Sequence, residues 1–354
     1  MIWFFLLSGL FLGWSLGAND AANIFGMAVG TRMIRFRTAA VIASVFVVLG
    51  AVVSGAGVTD TIGALGAVNA LAGSFTVALT AGLTVAWMSR TGLPVSTSQA
   101  IIGAIVGWNL FTGSPTDHGT LVRIVSAWVV SPLLAGGFAV VLYLGARWWL
   151  GRSRIHLVSL DAYTRTGLIV VGATGAYALG ANNIANVMGV FVPASPFADV
   201  WLGNFITITG MQQLFLLGAL AISVGIFTDS YKVMTTVGSQ IFKLTPIMAL
   251  IVVLAHTLSL FVFSSQGLQS ALFALGLPAP PLVPVSSTQA IIGAIMGIAL
   301  VRGGKGVQYG TLGRVVVGWV LTPIIACGMS FVLLFVVQNV FEQQVVAGRY
   351  GRSM

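Results

Sequence analysis

Polar positions along this chain are rare and clustered, and the apolar runs between them are long: uncharged stretches of 18 residues or more recur over the whole length. A helix needs roughly 20 such residues to cross the hydrocarbon core of a bilayer, so the pattern predicts roughly ten spanning helices. No β-barrel alternation is visible, which leaves helices as the way to satisfy the backbone in lipid. The first span covers about Ile2 to Val29, the second about Ala39 to Gly55 and the third about Phe75 to Met88. A fourth begins at the polar run PVSTSQ, and a fifth extends from Leu121 to about Gly145. The chain reads as an all-α, polytopic membrane protein.

The polar clusters repeat. PVSTSQAIIGAIVG, from Pro94 to Gly107, returns as PVSSTQAIIGAIMG, from Pro284 to Gly297, with eleven of fourteen positions identical. GANDAANIFG from Gly17 returns as GANNIANVMG from Gly180 at six of ten positions, and GTLVRIVSAWVVSP from Gly119 as GTLGRVVVGWVLTP from Gly310 at eight of fourteen. The offsets are 163, 190 and 191 residues for the GAN, PVS and GTL pairs, so the second half has gained 27 residues between Pro193 and Pro281. This is an internal duplication. It divides the chain into a first repeat at 1–146, a connection at 147–165 and a second repeat at 166–354.

Only 6% of the 354 residues are charged and 57% are hydrophobic, against about 25% charged in a soluble domain. The net charge of +9 is explained by orientation in the membrane, not by nucleic acid. Three matched loops differ in basic content: Arg32, Arg35 and Arg37 against a bare VPASPFADV; a bare TDTIGALGAVN against Lys232 and Lys243; a bare GSPTDHG against Arg302 and Lys305. Placing each basic loop in the cytoplasm makes the repeats inverted and the connection cytoplasmic, with both termini outside. Arg349 and Arg352 then lie on the outer side, against the rule. Inverted repeats point to a secondary transporter with its site near the midplane at broken helices. No nucleophile with a base, metal-ligand cluster or phosphate loop suggests an enzyme, and Cys327 is alone, without a disulfide or metal partner. An anion channel is the alternative from another class.

Asp20 and Asn23 share a helix face, and Asp20 is the acid placed deep in a span, where a charge is expensive and marks an ion or substrate path. The alternative is an Asp that caps a helix at a mouth; the repeat argues against it, because Asn182, Asn183 and Asn186 stand where Asn19, Asp20 and Asn23 stand. Carboxylate, amide and hydroxyl oxygens suit a small cation. The hydroxyls Ser96, Thr97, Ser98, Ser286, Ser287 and Thr288 can also donate to an oxyanion; close packing of helices is their plainer role. With the proline in the first turn, each triplet sits where backbone N–H groups lack partners and partial positive charge collects, which suits an anion. Gln99 and Gln289 follow as weaker candidates. Gly103, Gly107, Gly293 and Gly297 form two close-packing G-x-x-x-G faces. Arg123 and Arg314 read as interfacial anchors in preference to anion attractors at the mouths, and His256, inside an apolar run, as a hydrogen-bonded packing histidine in preference to a partner for a proton or an ion.

The paired GAN and PVS motifs, with VMTTVGSQIFKLTP at Val233 to Pro246, resemble the duplicated signatures of the inorganic phosphate transporter (PiT) family over nearly the whole chain. The resemblance implies a homodimeric secondary transporter of the cell membrane with inverted repeats and re-entrant hairpins at the hydroxyl motifs. It implies uptake of phosphate driven by sodium or by protons, with Asp20, Asn23, Asn186 and the two hydroxyl triplets lining the phosphate and cation sites. The family commonly carries Asp in both GAN motifs, but this chain has Asn183 in the second. One acid fewer bears on sodium coupling and leaves room for sulfate. An acceptor such as Asp20 favours phosphate, which keeps a proton near neutral pH.

Overall fold

The structure is a computed structural model that describes residues 2–66, 68–90, 95–202, 206–240, 244–304 and 307–347. Pro94, Lys243, Lys305, Arg349 and Arg352, all used in the sequence reading, lie outside the described residues. The first half comprises α1 (Ile2–Asp20), α2 (Ala22–Gly30), α3 (Phe36–Ser54), α4 (Ala56–Leu65), α5 (Leu71–Arg90), α6 (Thr97–Thr112) and α7 (His118–Arg152). The second comprises α8 (Leu157–Met188), a 3-10 turn (Gly189–Ala194), strands β1 (Val200–Leu202) and β2 (Ile206–Ile208), α9 (Gly210–Gln240), α10 (Pro246–Ser264), α11 (Gln266–Ala274), α12 (Ser287–Val301) and α13 (Tyr309–Asn339). Among the described residues, eight helices or helix pairs are long and apolar enough to cross a membrane. Of the ten expected segments, α6 and α12 are too short, at 16 and 15 residues, to stand among these eight.

The two halves pack by the same rules. α1 lies along α9 as α8 lies along α3, and α6 lies along α13 as α12 lies along α7. A side chain at Gly50 would overlap the Tyr177 carbonyl, and one at Gly225 the Trp14 carbonyl. Gly103 meets Pro323 and Gly293 meets Pro132 in the same way. Beside the first pair, the Tyr177 hydroxyl and Ser54 Oγ are hydrogen-bonded at 2.6 Å, and Trp14 Nε1 donates to Thr228 Oγ1 at 2.9 Å. Trp14 and Tyr177 stand 163 residues apart, whereas Gly50 and Gly225 stand 175 apart. The growth of the second half therefore enters in two places. One part lies between α8 and α9, where β1 pairs antiparallel with β2, the one strand pair among the described residues. The rest lies between α10 and α12, at the exposed helix α11.

Five segments per half are present, and two of them form a hairpin that ends inside the molecule. Phe75 of α5 stacks on Phe4 at 5.3 Å between centroids, and Gly82 meets Leu12, so α5 runs with α1. At the level of Asn19 the chain turns, and α6 carries Trp108 back to Gly73. In the second half α10 runs with α8 through Gly167–Leu250 and Gly175–Thr257, turns at Asn182, and α12 returns to bring Arg302 Nη1 within 3.6 Å of Met248 Sδ.

Neither tip starts its helix with the proline. Ser96 and Ser286 are the N-caps, each in extended conformation, and their hydroxyls accept from the amides of Gln99 (3.3 Å) and Gln289 (3.2 Å). Pro284 lies two residues ahead of its cap in non-helical chain. The physical reason is that a serine at the cap satisfies a helix-end amide.

Candidate functional site

The two tips cross at the centre of the molecule, each held by the GAN segment of both halves. Asn19 Nδ2 donates to the carbonyl of Val95 (3.3 Å), and Asn182 Nδ2 donates to the carbonyl of Val285 (2.9 Å). Those carbonyls are exchanged between the tips: Ser98 Oγ donates to Val285 O (3.0 Å), and Thr288 Oγ1 to Val95 O (3.2 Å). Asn186 Nδ2 reaches Ser98 Oγ at 2.8 Å, while Asn23 Nδ2 reaches Ser287 Oγ at 3.0 Å and Thr288 Oγ1 at 3.3 Å. Beside them Asn19 donates to Asp20 Oδ1 (3.0 Å), and Asn182 and Asn186 donate to Asn183 Oδ1 (3.2 and 2.9 Å). Every one of the candidate residues except Asn19, which is half-buried, is buried.

Val95 and Val285 lie ahead of the first helical residues, so their carbonyls stand outside the helical ladder and are open to this exchange. The cap serines take the Gln99 and Gln289 amides, so the amides of Thr97, Ser98, Ser287 and Thr288 have no partner within their helices. Asp20 is 3% exposed, and the other six acids of the chain are exposed. Several buried atoms here lack any hydrogen-bond partner: Thr97 Oγ1, Gln99 Oε1, Gln289 Oε1, Asn183 Nδ2, Asn186 Oδ1 and His256 Nδ1. A buried polar atom left unpaired costs about 1–3 kcal/mol, so a group of them in one place asks for a ligand or water. The set holds oxygen acceptors for a small cation and hydroxyl and amide donors for an oxyanion.

His256 is buried and hydrogen-bonded, as the sequence reading has it, and the structure supplies the partner. It is fully buried on α10, and its Nε2 lies 2.9 Å from Ser287 Oγ, which places it within the cluster. The available signal was a lone titratable residue in the otherwise apolar run of α10. The Val95 and Val285 carbonyls were missed, since side-chain chemistry does not announce a backbone acceptor. The remaining candidates stay outside. Arg123 donates to Thr120 Oγ1 (3.0 Å) and Arg314 to Thr311 Oγ1 (3.5 Å), each at the start of its own long helix. The four glycines of the G-x-x-x-G faces meet the backbone of α13 or α7, as close-packing faces do. Among the described residues no group of three or more His, Cys, Asp or Glu could hold a metal.

A many-helix apolar chain whose buried polar centre is assembled from two repeated helix tips defines a multi-pass membrane transport protein. The chain belongs to the phosphate transporter family, whose model matches residues 16–271 and 282–350. It is thus a member of a family of permeases and not an enzyme. A relative from Pyrococcus horikoshii, provisionally named a phosphate permease, is 26% identical over 410 residues, covering 94% of this chain and 97% of its own. Relatives given the same provisional name are 26% identical in Methanocaldococcus jannaschii (93% of this chain, 95% of its own) and 25% identical in Haemophilus influenzae (97% and 98%). A solved structure described as the sodium-dependent phosphate transporter shares the fold at a TM-score of 0.77 and 24% identity, covering 96% of this chain and 99% of that one.

Proposed function

We propose that this protein imports inorganic phosphate together with a cation, sodium first among the choices, through alternating access of the central cluster. The observation that carries the reading is the crossing of two capped helix starts beside one buried acid. Each helix start contributes roughly +0.5 of an elementary charge, and Asp20 contributes a carboxylate. An oxyanion added to so dry a place needs a positive charge with it, since an unpaired buried charge is costly. Coupling is then a consequence of electrostatics. In this reading the hydroxyl triplets and Asn186 bind phosphate, and Asp20 with Asn19, Asn23, Asn182, Asn183, Asn186, Gln99 and Gln289 supplies the cation's oxygens.

The repeats at 1–146 and 166–354 are taken as inverted across the cell membrane, with 147–165 cytoplasmic, so that the two hairpins enter from opposite sides. The outward face of α13, with Val316, Val320, Ile324 and Phe335 exposed, would meet lipid or a second copy in a homodimer. The test is uptake of labelled phosphate and labelled sulfate into proteoliposomes, under an imposed sodium gradient or an imposed proton gradient. Sodium-driven accumulation of phosphate is the expected result. Sulfate accumulation, or phosphate driven by protons alone, would move the reading to a proton-coupled phosphate or sulfate permease. Flux that no gradient drives uphill would make it a channel.

A further inference from the structure

The halves are not equal at the hydroxyl that opens each helix. Ser287 opens α12 and receives two neighbours: Asn23 Nδ2 at 3.0 Å and His256 Nε2 at 2.9 Å. Its equivalent Thr97 opens α6, and the Thr97 hydroxyl is buried without a partner. The equivalent of His256, at the 175-residue offset of the α5 and α10 arms, is Ala81, which has no polar side chain. The imidazole is therefore an addition in one half, placed against one hydroxyl.

The two tautomers of His256 have different consequences. If Nδ1 carried the hydrogen, a fully buried N–H would stand without an acceptor, because Nδ1 has no partner; orphaned buried donors are rare. If Nε2 carries it, the ring donates to Ser287 Oγ and Nδ1 keeps only a bare lone pair. Ser287 Oγ then accepts from both His256 and Asn23, and its own hydrogen is free to point into the cluster. A serine hydroxyl has one donor and two acceptor positions. With both acceptor positions filled it can only donate, which suits an oxyanion and not a cation.

We propose that His256 is a positioning residue for the transported oxyanion: by donating from Nε2 it turns Ser287 into a fixed hydrogen-bond donor at the start of α12. This rests on the reading of the cluster as the phosphate site. It divides the labour between the halves, with the pinned donor Ser287 in one and the adaptable hydroxyl of Thr97 in the other.

Two measurements test it. In proteoliposome uptake, His256→Ala is expected to raise the half-saturating phosphate concentration on the order of tenfold with the maximal rate held within about twofold. His256→Gln, whose amide can still donate to Ser287, should recover most of that loss. Ser287→Ala should cost as much as His256→Ala, and the double variant no more than either, since the two act through one hydrogen bond. Additive losses, or a loss in maximal rate alone, would overturn the proposal. The second measurement does not depend on those variants folding. In a protein with His118→Gln and His156→Gln, both exposed positions, ring nitrogen-15 spectra report His256 alone. The Nε2–H tautomer is expected, and the Nδ1–H tautomer would overturn the proposal. Failure of the starting protein to take up phosphate would refute the functional reading, while the tautomer would still decide the role of His256.

Discussion

The two hairpin tips share a backbone and differ in chemistry. In both, an asparagine holds a valine carbonyl, a capping serine starts a helix, and a hydroxyl crosses to the opposite tip. Yet Asn183 stands in the second repeat where Asp20 stands in the first, and His256 where Ala81 stands. The difference teaches which features belong to architecture and which to cargo. Architecture is repeated because the same helix pairs must pack twice. Charge is not repeated, as expected if, as proposed, a single oxyanion between the tips meets each half from a different side.

The largest effect should fall on the architectural side and equally in both halves. Gly103→Leu and Gly293→Leu each drive a side chain into the backbone at Pro323 or Pro132, and neither backbone can retreat from a packed helix. Both variants should lose the monodisperse peak in size-exclusion chromatography. A folded Gly293→Leu beside a lost Gly103→Leu would break the equivalence. On the side of chemistry the effects should be unequal. Asp20→Asn removes the one buried acid and is expected to lower coupled phosphate uptake by about 3 kcal/mol, roughly 100-fold, with the protein still monodisperse. Undiminished uptake would sever Asp20 from the transport path.

The reverse substitution is smaller and more informative. Asn183 Oδ1 accepts from Asn182 and Asn186, but its Nδ2 has no partner. Asn183→Asp therefore keeps both hydrogen bonds and adds a charge. It should fold, and its uptake should depend on sodium more steeply than that of the unaltered protein. An unchanged sodium curve would mean that position 183 does not see the cation.

The smallest effect lies at equivalent helix starts far from the cluster. Asp117 caps α7 through the amides of Gly119 and Thr120, whereas Gln308 at the start of α13 makes no side-chain cap. Bonds to Thr120, and also to Gly119, with the Arg123 charge nearby, hold the Asp117 carboxyl below its usual value. Its contribution is therefore present at neutral pH and lost as pH falls through that lowered value. Gln308→Asp should stabilise the protein by a few tenths to about 1 kcal/mol, and Asp117→Ala should lower the melting temperature at pH 7 more than at pH 3. Equal losses at both pH values would show that the cap is not ionic.

Much of this was legible before any coordinates. The duplication, the polar positions that converge, and the segment count follow from repeated motifs in an apolar background. What was not legible depends on contacts between distant segments. Nothing local distinguishes α5 or α10 from a full span, since only their packing along α1 and α8 shows where they turn. The first turn of a helix tolerates a proline, but the serine next to the free amides settles the start. The 27 added residues could be bounded from motif offsets; dividing them required Gly50 and Gly225, whose identical neighbours reveal the intermediate offset of 175. His256 reads as a hydrogen-bonded packing histidine, but its partner is not legible, because Ser287 is 31 residues away.

The central claim is that one oxyanion sits between the crossed tips. A cryo-electron microscopy map of the protein in lipid nanodiscs, with phosphate and sodium supplied, tests it directly. The account predicts a tetrahedral density within hydrogen-bonding distance of Thr97 or Ser98 and of Ser287 or Thr288, absent when phosphate is withheld. Phosphate density only elsewhere in the protein, with the tips closed on each other in both maps, would contradict it.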